Sequence, residues 1–351
     1  MDDEPLARAF LLQSRACAAF GSRFYAELTQ RAAADLEGEV AALFAPWSGQ
    51  SFEDLVAAAV VLRFLGALHD LVLSGEAPHL AAAFPPTGDA EAAWAAAHVT
   101  LAARPERFAA FMAHEPQTNE VRRSACLLPG FLTVAAETGL PLACLELGAS
   151  AGLNQLWPRY HYDYGAAGAW GDPASPVRLD AAWTGEAPPL DAPLRVLRTA
   201  ACDRAPIDVD DPAQRRRLKA YLWPDQSERI VRFDAAAEMA RAAGVRVERA
   251  DAADFVRARA APSDGVATVV FHSIFWQYLT AETQAAIRAT LADHGASATR
   301  QAPLAWLRME PADGQAFPIQ LRLTFWPGGE DRLLANVHAH GVSVEWGAPQ
   351  P

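Results

Sequence analysis

Four polar side chains stand where short apolar runs end: Glu146 after Leu142 to Leu145, Asp203 after Leu194 to Ala201, Asp251 after Val245 to Ala250, and His272 after Gly265 to Phe271. Carboxylates accept hydrogen bonds from hydroxyls and amines. An acid at the second run suits the paired hydroxyls of a ribose, and one at the third suits an adenine amino group. Glu146 is followed by Gly148, Ser150 and Gly152. Small residues let a backbone approach a ligand closely. A helix opening near Gly152 would turn its free N–H groups toward an anion such as a carboxylate. The expected ligand is a nucleoside cofactor held by Glu146, Gly148, Ser150, Gly152, Asn154, Asp203, Asp251 and Ser273.

Candidates for chemistry flank this set. His272 and Glu120 are the expected catalytic residues, His272 as a base because histidine titrates near neutrality; Glu310, at the next run's end, is the weaker alternative. The bland alternative for His272 is a structural histidine bonded to backbone. Gln117, Thr118, Asn119 and Glu120 form a dense polar cluster before an apolar helix. A helix cap would account for Thr118 or Asn119 alone. The other reading has Gln117, Thr118, Asn119, Arg123, Trp157 and Tyr160 lining a substrate pocket. Arg123 suits an acidic group or an ion pair with Glu120. Trp157, Tyr160, Tyr162 and Tyr164 suit stacking or core packing with a polar handle. His338 and His340 would share a strand face, but no third ligand stands at a convincing spacing, so no metal is expected.

The run Glu146-Leu147-Gly148-Ala149-Ser150-Ala151-Gly152 resembles motif I of class I S-adenosylmethionine-dependent methyltransferases, acid-x-Gly-x-Gly-x-Gly, with Ser150 at the middle glycine. The dinucleotide fingerprint G-x-G-x-x-G would need glycines at Ser150 and Leu153. More widely, Gln117 to Ser124, Leu145 to Asn154, Trp223-Pro224-Asp225-Gln226 and the closing His340-Gly341 with Trp346 resemble a bacterial family, domain of unknown function family 2332, over nearly the whole chain. The methyltransferase resemblance implies S-adenosylmethionine as cofactor and a small-molecule acceptor. Departures are plain. Asp203 follows a long insertion, Pro158 cuts the motif helix short, and nothing matches the Asn-Pro-Pro-Tyr signature of amino-group methylation. The alternatives are a non-catalytic Rossmann-like protein binding an adenosine ligand or a partner, and a nicotinamide-linked oxidoreductase.

The elements that must hold these residues follow from periodicity. Residues 1–135 read as a helical domain, the lid and acceptor side, with helices expected over 5–20, 22–44, 52–74, 89–102 and 104–113. Phe24, Leu28, Ala32 and Leu36 make one stripe, and Ser51 with Asp54 reads as a helix start. Residues 136–351 read as a cofactor-binding domain. There, strand and helix alternate over 140–310, which argues for a doubly wound, mostly parallel sheet. Antiparallel strands at 319–326 and 333–346 finish it, and an inserted loop or hairpin occupies 157–190. Asp225 is expected to cap a helix over 226–243. The fold class is thus α/β, a Rossmann-like sheet of class I methyltransferase type behind an N-terminal helical domain.

Composition narrows the partners. Acids number 42 against 30 bases, a net charge of −12. That disfavours nucleic acid and anionic membrane, which need a field of Lys and Arg. The Met1-Asp2-Asp3-Glu4 start has neither the basic n-region nor the apolar h-region of a signal peptide. Arg63, His69 and Asp70 interrupt the apolar stretch from Val56 to Leu73, so a buried helix fits it better than a membrane span. Cys17, Cys126, Cys144 and Cys202 form no C-x-x-C pair and read as buried thiols of a reducing cytoplasm.

Overall fold

The computed structural model describes residues 4–312 and 318–347; the Met1–Asp3 opening read above lies outside them. The chain divides into two compact units, residues 1–118 with 211–231, and 119–210 with 232–351. The division differs from the expected one at residue 135 because the helix Ser124–Thr138 packs on the sheet of the second unit. Gly130 permits the close approach: a Cβ there would lie 2.4 Å from Leu307 Cδ1.

The first unit is helical. Its helices are Pro5–Ala19, Arg23–Ala33, Gly38–Leu43, Phe52–Ala57, Val60–Ser74, Pro78–Ala83, Ala90–Ala103, Pro105–Met112 and Pro212–Ala220, with the start of Ser227–Ala243. Ser22, Ser51 and Asp89 cap three of them, each accepting a backbone N–H from three residues on. The apolar stretch from Phe52 to Ser74 has the length and composition to cross a membrane, but most of it is buried in the protein. Its polar residues are satisfied inside. Arg63 donates to the Ala58 and Met112 carbonyls, the His69 ring bonds the Ala220 and Leu222 carbonyls, and Asp70 pairs with Arg107 and Arg216.

Asp225 does not cap the helix that follows it. Its carboxylate accepts Ser22 Oγ–H at 2.7 Å and the Phe24 N–H at 3.0 Å, reinforcing the start of Arg23–Ala33. Gln226 donates to the Phe20 carbonyl at 2.9 Å. The Trp223-Pro224-Asp225-Gln226 segment is therefore a brace for the first two helices.

The second unit holds the strands, in chain order β1 Leu142–Leu147, β2 His161–Asp163, β3 Ala169–Trp170, β4 Arg178–Asp180, β5 Ala182–Thr184, β6 Val196–Asp203, β7 Glu248–Arg249, β8 Ala267–Ser273, β9 Leu304–Pro311, β10 Ile319–Trp326, β11 Glu330–Val337 and β12 Ser343–Trp346. Nine form one sheet in the order β5-β12-β11-β10-β9-β8-β1-β6-β7. From β9 to β7 every pairing is parallel. β9 through β12 form an antiparallel meander, and β5 joins its far edge in parallel. The 157–190 insertion is more than a loop: β2, β3 and β4 make a small sheet, and β5 extends the large one.

β1 is central and buried along its whole length, as its unbroken apolar run requires. From it the chain proceeds to β6 and β7 on one side, then to β8 and β9 on the other. This reversal defines a topological switch point between β1 and β8. In open parallel sheets, ligands bind outside the carboxyl ends of the strands at such a point.

Candidate functional site

Glu146 lies one residue from the end of β1, opposite Ala201 of β6 and Phe271 of β8. It is 4% exposed, and Oε2 has no hydrogen-bond partner. Burial, and secondarily the charge of Asp203, raise its carboxyl well above the usual carboxylate range. A buried acid beside a second acid resists ionisation until a cation or donor reaches it.

The turn after Glu146 takes three left-handed residues in alternation: Gly148 at φ 65°, Ser150 at φ 53° and Gly152 at φ 72°. Serine is not at home there. Asp203 offsets the cost by accepting the Ser150 N–H at 2.8 Å through Oδ2. Ser150 therefore keeps the backbone course that a middle glycine would take. Its own hydroxyl is buried without a partner. Asp203 also accepts the Ala205 N–H through Oδ1 at 2.8 Å. A carboxylate oxygen has two acceptor directions, so each oxygen keeps capacity for a further donor.

Asp251 is exposed and caps Ala252–Arg259, accepting the Ala253 and Asp254 N–H groups through Oδ1. β7 has only two residues, so the cap sits directly at the strand's end. The motif helix is itself short, a 3-10 segment over Leu153–Arg159 containing Pro158.

The polar cluster before the helix is stitched to this turn. Asn119 Oδ1 accepts the Leu153 N–H at 2.9 Å. Asn154 Oδ1 accepts Ser124 Oγ–H at 2.8 Å, and its amide donates to the Glu120 carbonyl at 3.4 Å. Glu120 is buried and accepts the Arg122 N–H at 3.2 Å. Asn119, Glu120 and Asn154 thus act on each other and on the motif backbone. Gln117 is half-buried and Thr118 exposed; they end the first unit's opening segment, and Asn119 begins the second unit.

Arg123 spans two carbonyls, Ser273 at the tip of β8 and Ala339 in the turn before β12, at 3.2 and 3.1 Å. Gly341 is needed in that turn, since a Cβ there would lie 2.2 Å from the Arg122 carbonyl oxygen. Trp157 stacks on Phe131 at 4.1 Å, and the Tyr160 hydroxyl donates to the Leu153 carbonyl at 2.5 Å. Both are fully buried. They pack in the core rather than line a surface; Tyr160 has the apolar body and satisfied polar tip usual for such rings, whereas the Trp157 indole N–H is buried without a partner.

His272 is also interior. Its Nε2 accepts the Trp306 indole N–H at 3.1 Å, so Nδ1 carries the proton and donates to Glu310 Oε1 at 2.6 Å. With both nitrogens engaged, the ring has no lone pair to offer an acceptor; its expected role as a base gives way to the structural alternative. Glu310 further accepts the Phe275 N–H, at 3.0 and 3.2 Å to its two oxygens. Sequence reasoning missed Phe275, whose ring lies against Gly148: a Cβ on that glycine would sit 2.1 Å from Phe275 Cδ2. An apolar residue past a strand end carries no local signal of such a placement.

His338 and His340 stand with ring centroids 5.8 Å apart, and no metal-ligating cluster of His, Cys, Asp or Glu occurs among the described residues. All four cysteines are buried free thiols.

Fold and site together define an α/β protein with a mostly parallel sheet and a tight, acid-bearing turn at its switch point. The chain belongs to the family described as an uncharacterized protein conserved in bacteria (DUF2332), whose model matches residues 7–346. No curated protein and no solved structure matches it.

Proposed function

We propose that this chain is a cytoplasmic, S-adenosylmethionine-dependent methyltransferase acting on a small molecule, with a Rossmann-like second unit. The observation that carries the reading is Glu146: a buried carboxyl with an unpartnered Oε2, next to a second acid. Such a pair favours a ligand that brings positive charge and N–H donors, as the ammonium end of a methionine does. It disfavours a pyrophosphate, which would add negative charge beside Glu146. The same argument ranks a nicotinamide dinucleotide lower.

In this reading Glu146 takes the ammonium, Ser150 Oγ and the turn's backbone take the methionine carboxylate, and Asp203 takes the ribose hydroxyls. Asp251 stands at the adenine side, exposed. Bound S-adenosylmethionine would supply an already activated methyl group. The protein's task is alignment, which supplies much of the rate in such transfers. His272 and Glu120 are committed to other groups, so the acceptor's nucleophile must bring its own lone pair. The same commitment favours one second reading, an adenosyl-ligand-binding protein without chemistry.

Thermal-shift measurements with S-adenosylmethionine, S-adenosylhomocysteine, NAD and ATP test the reading, because a ligand bound only by the folded state raises its melting temperature. The first two are expected to shift it, and Asp203→Asn or Glu146→Gln to diminish the shift. A shift with NAD alone would replace the reading with the nicotinamide one.

A further inference from the structure

The turn after β8 is held in an unfavourable conformation. Ile274 has φ 48°. A β-branched residue in the left-handed region is a genuine outlier, and such strain persists only where the surroundings over-determine it. Here the determinants are explicit. The Ile274 N–H donates to the Met309 carbonyl at 2.9 Å. The next N–H, that of Phe275, is shared between both oxygens of Glu310. Glu310 is fixed in turn by His272 Nδ1–H, and His272 by the Trp306 indole. Trp276 closes the arrangement, stacked on His272 at 5.3 Å and 14° with the Arg288 guanidinium 4.8 Å from its ring. The product of the clamp is one placement: the Phe275 ring against Gly148, in the turn that follows Glu146.

We infer that Glu310 is a positioning residue of the switch-point site, which through the Phe275 N–H and His272 locks the Ile274 turn and sets the Phe275 ring on the glycine turn as its specificity-determining wall. Its consequence for a ligand rests on the function proposed above; the clamp itself does not. Phe275 then limits what lies over Gly148 to a slender or flat group that packs on an aromatic ring, such as a methionyl chain. A bulky branched group would collide with it.

The test labels the protein with 5-fluorotryptophan and assigns Trp276 and Trp306 by Trp276→Phe and Trp306→Phe. Glu310→Gln keeps one acceptor oxygen and removes the other. It is expected to move the Trp276 fluorine resonance and raise its solvent isotope effect, leaving resonances of tryptophans in the first unit unchanged. Adding Ile274→Gly to Glu310→Gln removes the Cβ penalty, so the turn no longer needs the clamp and the Trp276 resonance returns. A merely structural loss would not be restored this way. Calorimetry with S-adenosylhomocysteine on the same proteins should show affinity falling about tenfold in Glu310→Gln and recovering in the double variant. An unmoved Trp276 resonance in Glu310→Gln, or a shift that Ile274→Gly does not reverse, overturns the inference. If the fluorine pattern is as expected but even the wild type takes no S-adenosylhomocysteine, the clamp stands and the proposed cofactor falls. If Glu310→Gln perturbs every resonance, the pair Phe275→Leu and Phe275→Ala decides. Affinity or thermal shift graded with the size of that side chain supports the wall, and no change overturns it.

Discussion

Asn119 Oδ1 accepts the Leu153 N–H at 2.9 Å, so a side chain 34 residues upstream caps the short helix of the glycine turn. The bond is buried, and it joins the polar cluster before Ser124–Thr138 to the end of β1. Two sequence segments that look independent are one structural device.

Asn119→Ala should therefore lower stability by about 1–2 kcal/mol, the cost of an unsatisfied buried N–H at a helix start. Asn119→Asp keeps the acceptor and should recover most of it. Urea unfolding of the two variants measures the difference. Equal losses would mean that the bond is incidental.

Gly148→Ala should be destabilising for two separable reasons, the left-handed φ of 65° and the collision with Phe275 Cδ2. The first costs roughly 1 kcal/mol and stays whatever the neighbour. The second vanishes when the ring is removed. A double-mutant cycle with Phe275→Ala should return a coupling on the order of 1 kcal/mol. Additive losses would place the ring away from the turn.

In the first unit, Asp70 is nearly fully buried between Arg107 and Arg216. Asp70→Ala leaves Arg216 without this carboxylate and Arg107 with Glu76 alone, and should cost about 3 kcal/mol. Arg216→Ala should cost less, because its side chain is 33% exposed and water replaces part of the pairing. Chemical denaturation of both variants gives the order, and the reverse order would refute this account of the network.

Glu146 makes stability depend on pH in an unusual direction. A carboxyl raised on folding contributes stability that is fully present below its unfolded value and is lost as pH rises through the raised native one. Glu146→Gln cannot ionise. Its melting temperature should match the wild type near pH 4 and exceed it near pH 8, the gap opening as pH rises. A gap independent of pH would show that Glu146 does not titrate in this way.

Much of the scaffold was legible because its signals are local. The apolar run Leu142 to Leu145 marked a buried strand, Ser51 with Asp54 marked a helix start, and alternation over 140–310 marked the parallel sheet. What failed was partner choice. Asp225 looked like the cap of the helix after it and instead braces Ser22 and Phe24, some two hundred residues away in sequence. His272 looked like a base at a strand tip, but Trp306 and Glu310 occupy both its nitrogens. Trp157 and Tyr160 fitted either stacking or core packing by type alone, and only the fold decides for core. Spacing says which residues share a face, and it is silent on which long-range neighbour satisfies a polar atom.

The central claim is that the acid at the end of β1 receives a cationic, donor-bearing ligand. Titration calorimetry of S-adenosylhomocysteine, run in two buffers of different ionisation enthalpy between about pH 5 and pH 8, tests it most directly. Pairing with an ammonium favours the ionised carboxyl. Binding should therefore release a proton at the lower pH and tighten as pH rises, and Glu146→Gln should weaken affinity roughly tenfold or more and abolish the proton release. No binding heat, or equal affinity and pH dependence in wild type and Glu146→Gln, would contradict the account.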